Sequence, residues 1–383
     1  MEDGTEKMEK TGKTEQANRK RKAGGFLRAL RLVSALALGV TALMAMFALI
    51  VSRVVPEHLV TLCMILIVIW TSLVIITAFK KVEKARTAAI FSLISVVLIF
   101  GHLLLFHYGN STAGFLKQID TTAVTSEATT PVEDVLSAPF VIYISGKDAG
   151  GSLSDVNQLA IVNPKIHRIL LINTPRDYYV PLAGKTGLSD KLTHAGTYGL
   201  DTSVETLENL YGVEINYYLQ INFDSLVNLV NTLGGIEVDS EYAFDEFRVG
   251  MNTLSGEQAL RFARNRSAFS GGDRVRGENQ QRVIAGIIRK LSNPNTVVNY
   301  TSILNSMEGS FITNFGSDNI VKLAKNQINN NPNWSVNTYA VDGTGAMMQT
   351  YSYPNQRLYV MLPNQATVNT AKQKISEILD SGL

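Results

Sequence analysis

FVIYISGKDAGGSLSDVNQLAIVNPKIHRILLINTPRDYYV, residues 140–180, is the stretch on which the fold turns. Three short apolar runs, Phe140 to Ser145, Leu159 to Asn163 and Ile169 to Asn173, are separated by Gly, Ser, Asn and Pro, the residues that favour turns. They read as buried strands, and Tyr217 to Ile221 adds a fourth. Between and beyond them the apolar spacing changes to three and four. Ser203 to Tyr211, Ser225 to Leu233, Ser255 to Ala263 and Glu278 to Leu291 therefore read as helices, and Ser317 before Asp318 as an N-cap. Strands interleaved with helices predict a single layered α/β domain over residues 140–383, with a central mixed sheet and flanking helices.

Upstream the chain is of another kind. Leu32–Val51, Leu59–Phe79 and Thr87–Tyr108 are three apolar stretches without Asp, Glu, Lys or Arg. Each has about the length that crosses a roughly 30 Å hydrocarbon core. The cations set an orientation, because loops that cross a membrane are poor in Lys and Arg. Arg19, Lys20, Arg21, Lys22, Arg28 and Arg31 precede the first span, and Lys80, Lys81, Lys84 and Arg86 join the second to the third. Both segments are expected in the cytoplasm. Everything after Tyr108 is then extracytoplasmic. The organisation expected is a basic tail over residues 1–31, disordered before Arg19, three transmembrane helices over 32–108, a linker over 109–139 and the α/β domain.

Charge follows the same division. Residues 1–108 hold 14 Lys and Arg against 7 Asp and Glu, whereas residues 109–383 hold 21 against 26. A net-negative outer domain lacks the broad basic surface that nucleic acid requires, so no nucleic-acid partner is expected. Cys63, the only cysteine, lies in an apolar run and excludes an intramolecular disulfide.

Within that acidic domain, RNRSAFSGGDRVRGENQQ at 264–281 concentrates arginine. Arg264 and Arg266 converge if the preceding helix ends near Arg264, as Gly271 and Gly272 favour. Arg276 and Gln280, four apart, share a face of the next helix near its N-terminus, where the dipole attracts anions. Such a set suits a phosphate or diphosphate, which guanidinium matches bidentately. The alternative is a solvated charged face pairing with Asp273 and Glu278. A second cluster, NTPRDYYV at 173–180, delivers Arg176 and Asp177 at the end of a strand, either as a phosphate contact or as an ion pair. In SGKDAGGSLSD at 145–155, Asp148 and Asp155 are either Mg²⁺ ligands or turn residues. His167 and His194 are isolated and read as structural. No G-x-S-x-G, H-E-x-x-H or P-loop is present.

Taken in order, YISGKD, LLINTPRDYYVPL, DKLTHAGTYGLD, INYYLQINFDSLVNLVNTLGGIEVD, LSGEQALRFARNR and GGDRVRGENQQRVI closely resemble the LytR-CpsA-Psr family of cell-wall proteins, over about Phe140 to Leu291. The resemblance implies a Mg²⁺-dependent phosphotransferase on the membrane of a Gram-positive type bacterium. Such an enzyme moves an anionic glycopolymer, capsular polysaccharide or teichoic acid, from a polyprenyl diphosphate carrier to peptidoglycan. It places Mg²⁺ on Asp148 and Asp155, and the diphosphate on Arg176, Arg264, Arg266 and Arg276, with Lys191, Gln280 and Asp273 also at substrate-binding positions. Asp148 and Asp177 are both candidates for the general base. An apolar pocket for the polyprenyl chain is implied, with walls that spacing does not assign. One departure stands out: Leu153 and Ser154 precede Asp155 where arginine and serine are usual, in a shortened loop. The rival expectation is a membrane receptor that binds lipid-linked polymer without catalysis.

Overall fold

The computed structural model describes residues 2–80, 85–122, 128–147, 153–265, 273–293 and 311–382. The chain divides into two compact units, 1–113 and 114–383. The first holds the helices α1 (Glu2–Ser52), α2 (Glu57–Phe79) and most of α3 (Ala85–Thr122). Each contains a stretch long and apolar enough to span a membrane: Gly24–Ser52, Glu57–Phe79 and Arg86–Asp120. Ala42, Ala45 and Leu49 of α1 pack against Ile67 of α2, and small residues at that seam let the two backbones approach. Arg31 donates to the carbonyl oxygens of Thr77 and Lys80, two of the acceptors that the end of α2 leaves free. The expectation of a disordered tail is not met, because α1 is helical from Glu2, over a segment rich in the helix formers Glu and Lys.

The 109–139 segment is also not a free linker. The helix α3 continues past Tyr108 to Thr122 because Phe115, Leu116 and Ile119, at helical spacing, are buried. In the same unit Asp120 accepts hydrogen bonds from the Ser317 amide at 3.0 Å and from its hydroxyl at 2.7 Å. Ser317 therefore begins its helix rather than capping it, with Gly316 in the cap position. Thr130 accepts from Asn216, and Val135 is wholly buried, so the chain before the first strand lies along the domain.

The second unit is built on six strands ordered β10-β3-β2-β1-β6-β9. They are β1 (Phe140–Lys147), β2 (Val156–Asn163), β3 (Arg168–Asn173), β6 (Tyr217–Asn222), β9 (Phe311–Thr313) and β10 (Ser335–Ala340). The sheet is mixed: β1 pairs in parallel with β6 and β3 with β10, while β2 runs antiparallel to both β1 and β3. Consequently β1, β3, β6 and β10 end at one edge. Every residue of β2 is buried, as expected for a central strand covered on both faces.

Alternation sorts the sheet into two cores. Val141, Tyr143, Leu159, Ile161, Leu170 and Ile172 pack with α5 (Leu200–Tyr211) and α10 (Gln365–Asp380). Phe140, Ile144, Ala160, Val162 and Leu171 face α8 (Asp273–Leu291) and α9 (Ser317–Asn330). A third core joins α6 (Phe223–Thr232), α7 (Gly256–Arg264), α8 and the hairpin β7 (Ile236–Ser240) with β8 (Gly250–Leu254), around Phe244, Phe247 and Phe262. A capping box starts α7: the Ser255 hydroxyl accepts from the Gln258 amide, and the Gln258 side chain accepts from the Ser255 amide.

Two small pairs complete the unit, β4 (Tyr179–Val180) with β5 (Asp190–Lys191), and β11 (Gly343–Gln349) with β12 (Arg357–Pro363). Between β5 and β12 come the short helix α4 (Leu192–Ala195) and the elements described above. Asp190 ties the two pairs together. Its carboxylate lies 2.6 Å from His194 Nδ1 and accepts from the Ser352 amide at 2.8 Å and hydroxyl at 2.5 Å. Burial alone would raise this carboxyl, but the hydrogen bonds from His194 and Ser352 outweigh it and hold it below the ordinary range. A depressed folded value contributes stability above the unfolded value of about 3.9, lost as pH falls through the folded one. Asp190→Asn should therefore cost about 1.5–3 kcal/mol at neutral pH in thermal melts. It should also blunt the loss of stability below about pH 4.

Candidate active site

The candidate residues gather at the carboxyl edge of β1, β3 and β6, the edge where open α/β sheets generally bind ligands. At that edge β3 ends at Asn173, and the Thr174-Pro175 turn delivers Arg176 and Asp177. Pro175 removes a backbone donor and stops the strand. Facing it, β2 starts at Val156, and the amide of Asp155 just before it donates to the Gly146 carbonyl of β1 at 2.9 Å. This register places Asp155 against Arg176, Oδ1 to Nη1, at 2.5 Å. Arg176 Nε lies 3.8 Å from Asp177 Oδ2, and Lys191 Nζ donates to Asp177 Oδ1 at 2.8 Å.

The result is a row of alternating charge: Asp155, Arg176, Asp177, Lys191. All four side chains are largely buried, between 10% and 23% exposed. Their attractions are less screened than those of a surface pair. Both Asp177 oxygens face cations, so this carboxylate orients Arg176 and Lys191.

The second half of the site comes from α7 and α8. Arg264 ends α7, with Asn265 capping it in an extended conformation, so the helix stops where the convergence of the arginines required. The helix α8 starts at Asp273, five residues before the helical reading from sequence, and places Arg276 in its first turn. Arg276 is 4% exposed and Gln280, one turn on, 5%. Nearby Arg274 pairs with Glu278 at 2.8 Å. Burial raises the Glu278 carboxyl, against the pull of Arg274 and Arg282. Asp148 and Arg266 lie outside the described residues, as does the side chain of Asp273.

The two halves meet at a narrow pocket of about 40 Å³, lined by Ile144, Gly146, Val156, Ile221, Asn222, Leu226, Ala263, Gln280, Val283 and Ile284. Its walls are side chains of β1, β2, β6, α6, α7 and α8, and all but Gln280 and Asn222 are apolar. Three of the charged candidates lie beside a lining residue. Asp155 is hydrogen-bonded to Gly146, Arg264 follows Ala263, and Gln280 lies one turn beyond Arg276. Sequence reading had no access to these walls, because they come from six separated elements.

Asp155 presents one carboxylate oxygen to Arg176 and keeps the other, a hard-oxygen donor of the kind that Mg²⁺ takes. Among the described residues no group of three or more His, Cys, Asp or Glu gathers.

Known proteins resemble this chain in sequence and fold. A stretch of 226 residues, 56% of this chain and 74% of the relative, is 35% identical to an Enterococcus faecalis protein named polyisoprenyl-teichoic acid-peptidoglycan teichoic acid transferase TagU. A Bacillus anthracis protein of the same name is 30% identical over 247 residues, 62% of this chain and 81% of the relative. The crystal structure of B. subtilis TagV matches with a TM-score of 0.54 and 26% identity, over 64% of this chain and 98% of that one. The LytR_cpsA_psr family model matches residues 105–373, which takes in every strand and helix of the α/β unit bar the last turns of α10, and the chain belongs to that family.

Proposed function

We propose that this protein transfers an anionic glycopolymer of teichoic-acid type from a polyprenyl diphosphate carrier to peptidoglycan. One observation carries the reading: an apolar pocket lined by buried Gln280 is walled by the same strands and helices that carry Asp155, Arg264 and buried Arg276 at or next to its lining residues. A lipid tail and a diphosphate head need that combination. The relatives named for teichoic acid transfer support the polymer class.

In the proposed reaction a peptidoglycan sugar hydroxyl attacks the polymer-side phosphorus. The hydroxyl proton passes to a base such as Asp148, the bond from that phosphorus to the bridging oxygen breaks, and polyprenyl phosphate leaves. Arg176, Arg264, Arg266 and Arg276 neutralise charge that grows on the phosphoryl oxygens and the leaving group. Lys191, held by Asp177, adds a fixed positive charge beside Arg176. Asp148 and Asp155 would hold Mg²⁺, which supplies Lewis-acid polarisation of the diphosphate when bound. The donor stays in the bilayer on its tail and the acceptor lies just outside it. Three spans with the basic segments in the cytoplasm would keep the α/β unit on the outer face, where the two meet.

The deciding assay is transfer of labelled lipid-linked polymer to peptidoglycan by the purified full-length protein. Covalent transfer supports the enzyme. Tight binding of every donor with no transfer would instead identify a receptor. Chelation of divalent cations should abolish transfer and Mg²⁺ should restore it. Asp155→Asn should raise the Mg²⁺ concentration at half-maximal rate, and an unchanged requirement would remove Asp155 from the metal site.

A further inference from the structure

Beneath the charged row, four polar side chains lie in an otherwise apolar core. Tyr143 and Ser145 of β1 and Asn157 of β2 share the sheet face of Val141, Leu159 and Ile161, with Ser145 and Asn157 directly paired. Ser154, two residues before β2, joins them, and none of the four is more than 2% exposed. Their protons have one consistent arrangement. The Tyr143 hydroxyl, raised by burial and so protonated, donates to Asn157 Oδ1 at 2.7 Å. The Ser154 hydroxyl donates to the Val156 carbonyl at 2.9 Å, which leaves Ser145, 2.8 Å away, as the donor to Ser154 Oγ. Asn157 Nδ2 donates to the Ser154 carbonyl at 3.2 Å. A network satisfied in this way is rigid, where apolar side chains would only fill the space.

What the network holds is the residue between its members. The Ser154–Val156 bond spans Asp155 from one neighbour to the other, and the Asp155 amide donates to the Gly146 carbonyl at 2.9 Å. From that fixed backbone the carboxylate meets Arg176, Oδ1 to Nη1, at 2.5 Å. The same turn is tied to the other partner. Thr193 accepts from the Ser154 amide at 3.4 Å and donates to the Arg176 carbonyl at 2.9 Å. Asp155 and Arg176 thus stand on backbones that are joined before any substrate arrives.

We infer that Ser154, with Ser145 and Tyr143 behind it, is a positioning residue that fixes the Asp155 carboxylate, so that one oxygen is held by Arg176 and the other is kept for Mg²⁺. This rests on Asp155 as a Mg²⁺ ligand, as proposed above. A carboxylate free to turn must be ordered at the moment of binding, which weakens a site. Here the ordering is built into the fold, through a hydroxyl that is 1% exposed and too deep to touch metal or substrate itself.

The test measures binding of a polyprenyl diphosphate to the full-length protein in detergent, without acceptor, across a series of Mg²⁺ concentrations. Ser154→Ala should raise the Mg²⁺ concentration for half-maximal binding about tenfold, the lower end of what loss of a partner behind a metal ligand does. Asp155→Asn should raise it at least as far. Adding Ser154→Ala to Asp155→Asn should then change nothing more, because a group that acts through the carboxylate has no effect once the carboxylate is gone. Ser145→Ala keeps the Ser154–Val156 bond, should shift the Mg²⁺ dependence less but in the same direction, and decides the matter if Ser154→Ala fails to fold. Effects that multiply in the double variant, or a lower melting temperature with an unchanged Mg²⁺ dependence, mark a structural role and overturn the inference while leaving Asp155 in the metal site. An Asp155→Asn protein with the Mg²⁺ dependence of the wild type overturns the metal assignment and the positioning role together.

Discussion

Replacing Arg276 by alanine should lower the rate of polymer transfer by about a hundred- to a thousandfold, the range seen when one preorganised donor to a developing charge is removed. The side chain is 4% exposed and sits in the first turn of α8, where the helix dipole adds to its own charge. Its position is fixed by α8 packing on the sheet through Ala285, Ile284 and Ile288. Ordering is therefore complete before substrate arrives. Arg276→Lys keeps the charge but loses the planar fork that grips two phosphate oxygens, and should recover only part of the rate. Melting temperature and membrane fraction, measured alongside, separate this loss from misfolding. An alanine variant that is folded, membrane-bound and as fast as the wild type would remove Arg276 from the reaction. Arg176→Ala should behave differently in its pH and salt response. Its loss leaves the Asp155 carboxylate without the guanidinium now 2.5 Å away, adding uncompensated negative charge where an anion must bind.

The sheet was legible because burial leaves a mark on composition. β1, β3 and β6 begin and end within two residues of their apolar runs, since a strand covered on both faces has little choice of residue. β2 starts three residues before the apolar run that announced it, because Val156, Asn157 and Gln158 pair with β1 whatever their polarity. The two-residue strands β4 and β5 leave no periodic mark at all. The end of α3 was misread for a related reason. Ser, Thr and Gly between Gly109 and Thr122 resemble a linker, but Phe115, Leu116 and Ile119 find a surface to bury against that local composition does not reveal.

The site divides in the same way. Clustered arginines and the proline turn stand out in sequence, so Arg176, Arg264 and Arg276 were candidates from the start. Which carboxylate meets which cation was not readable. The Asp155–Arg176 pair depends on the β1–β2 register, and the hold of Lys191 on Asp177 on the pairing of β4 with β5.

The second large effect should come from closing the pocket. Ala263 is 2% exposed, lines the pocket and stands one residue before Arg264. A cavity of about 150 Å³ is known to take a benzene ring, whereas the space here is about 40 Å³. A phenyl group from Ala263→Phe would therefore fill it outright. Overpacking of this kind costs about 1–3 kcal/mol, which a domain with three apolar cores can absorb. A polyprenyl chain must enter by displacing Leu226, Val283 and Ile284, side chains that the new ring would pin. Transfer from a long-chain donor should fall by at least about a hundredfold, since binding energy of the remote tail is what positions the diphosphate. With a donor whose lipid is cut to one or two isoprene units, wild type and variant should both be slow and nearly equal, because neither gains from the pocket. That convergence is the diagnostic result. If Ala263→Phe matched the wild type on the long-chain donor, the tail would lie elsewhere, and the arginines would have to position the diphosphate unaided.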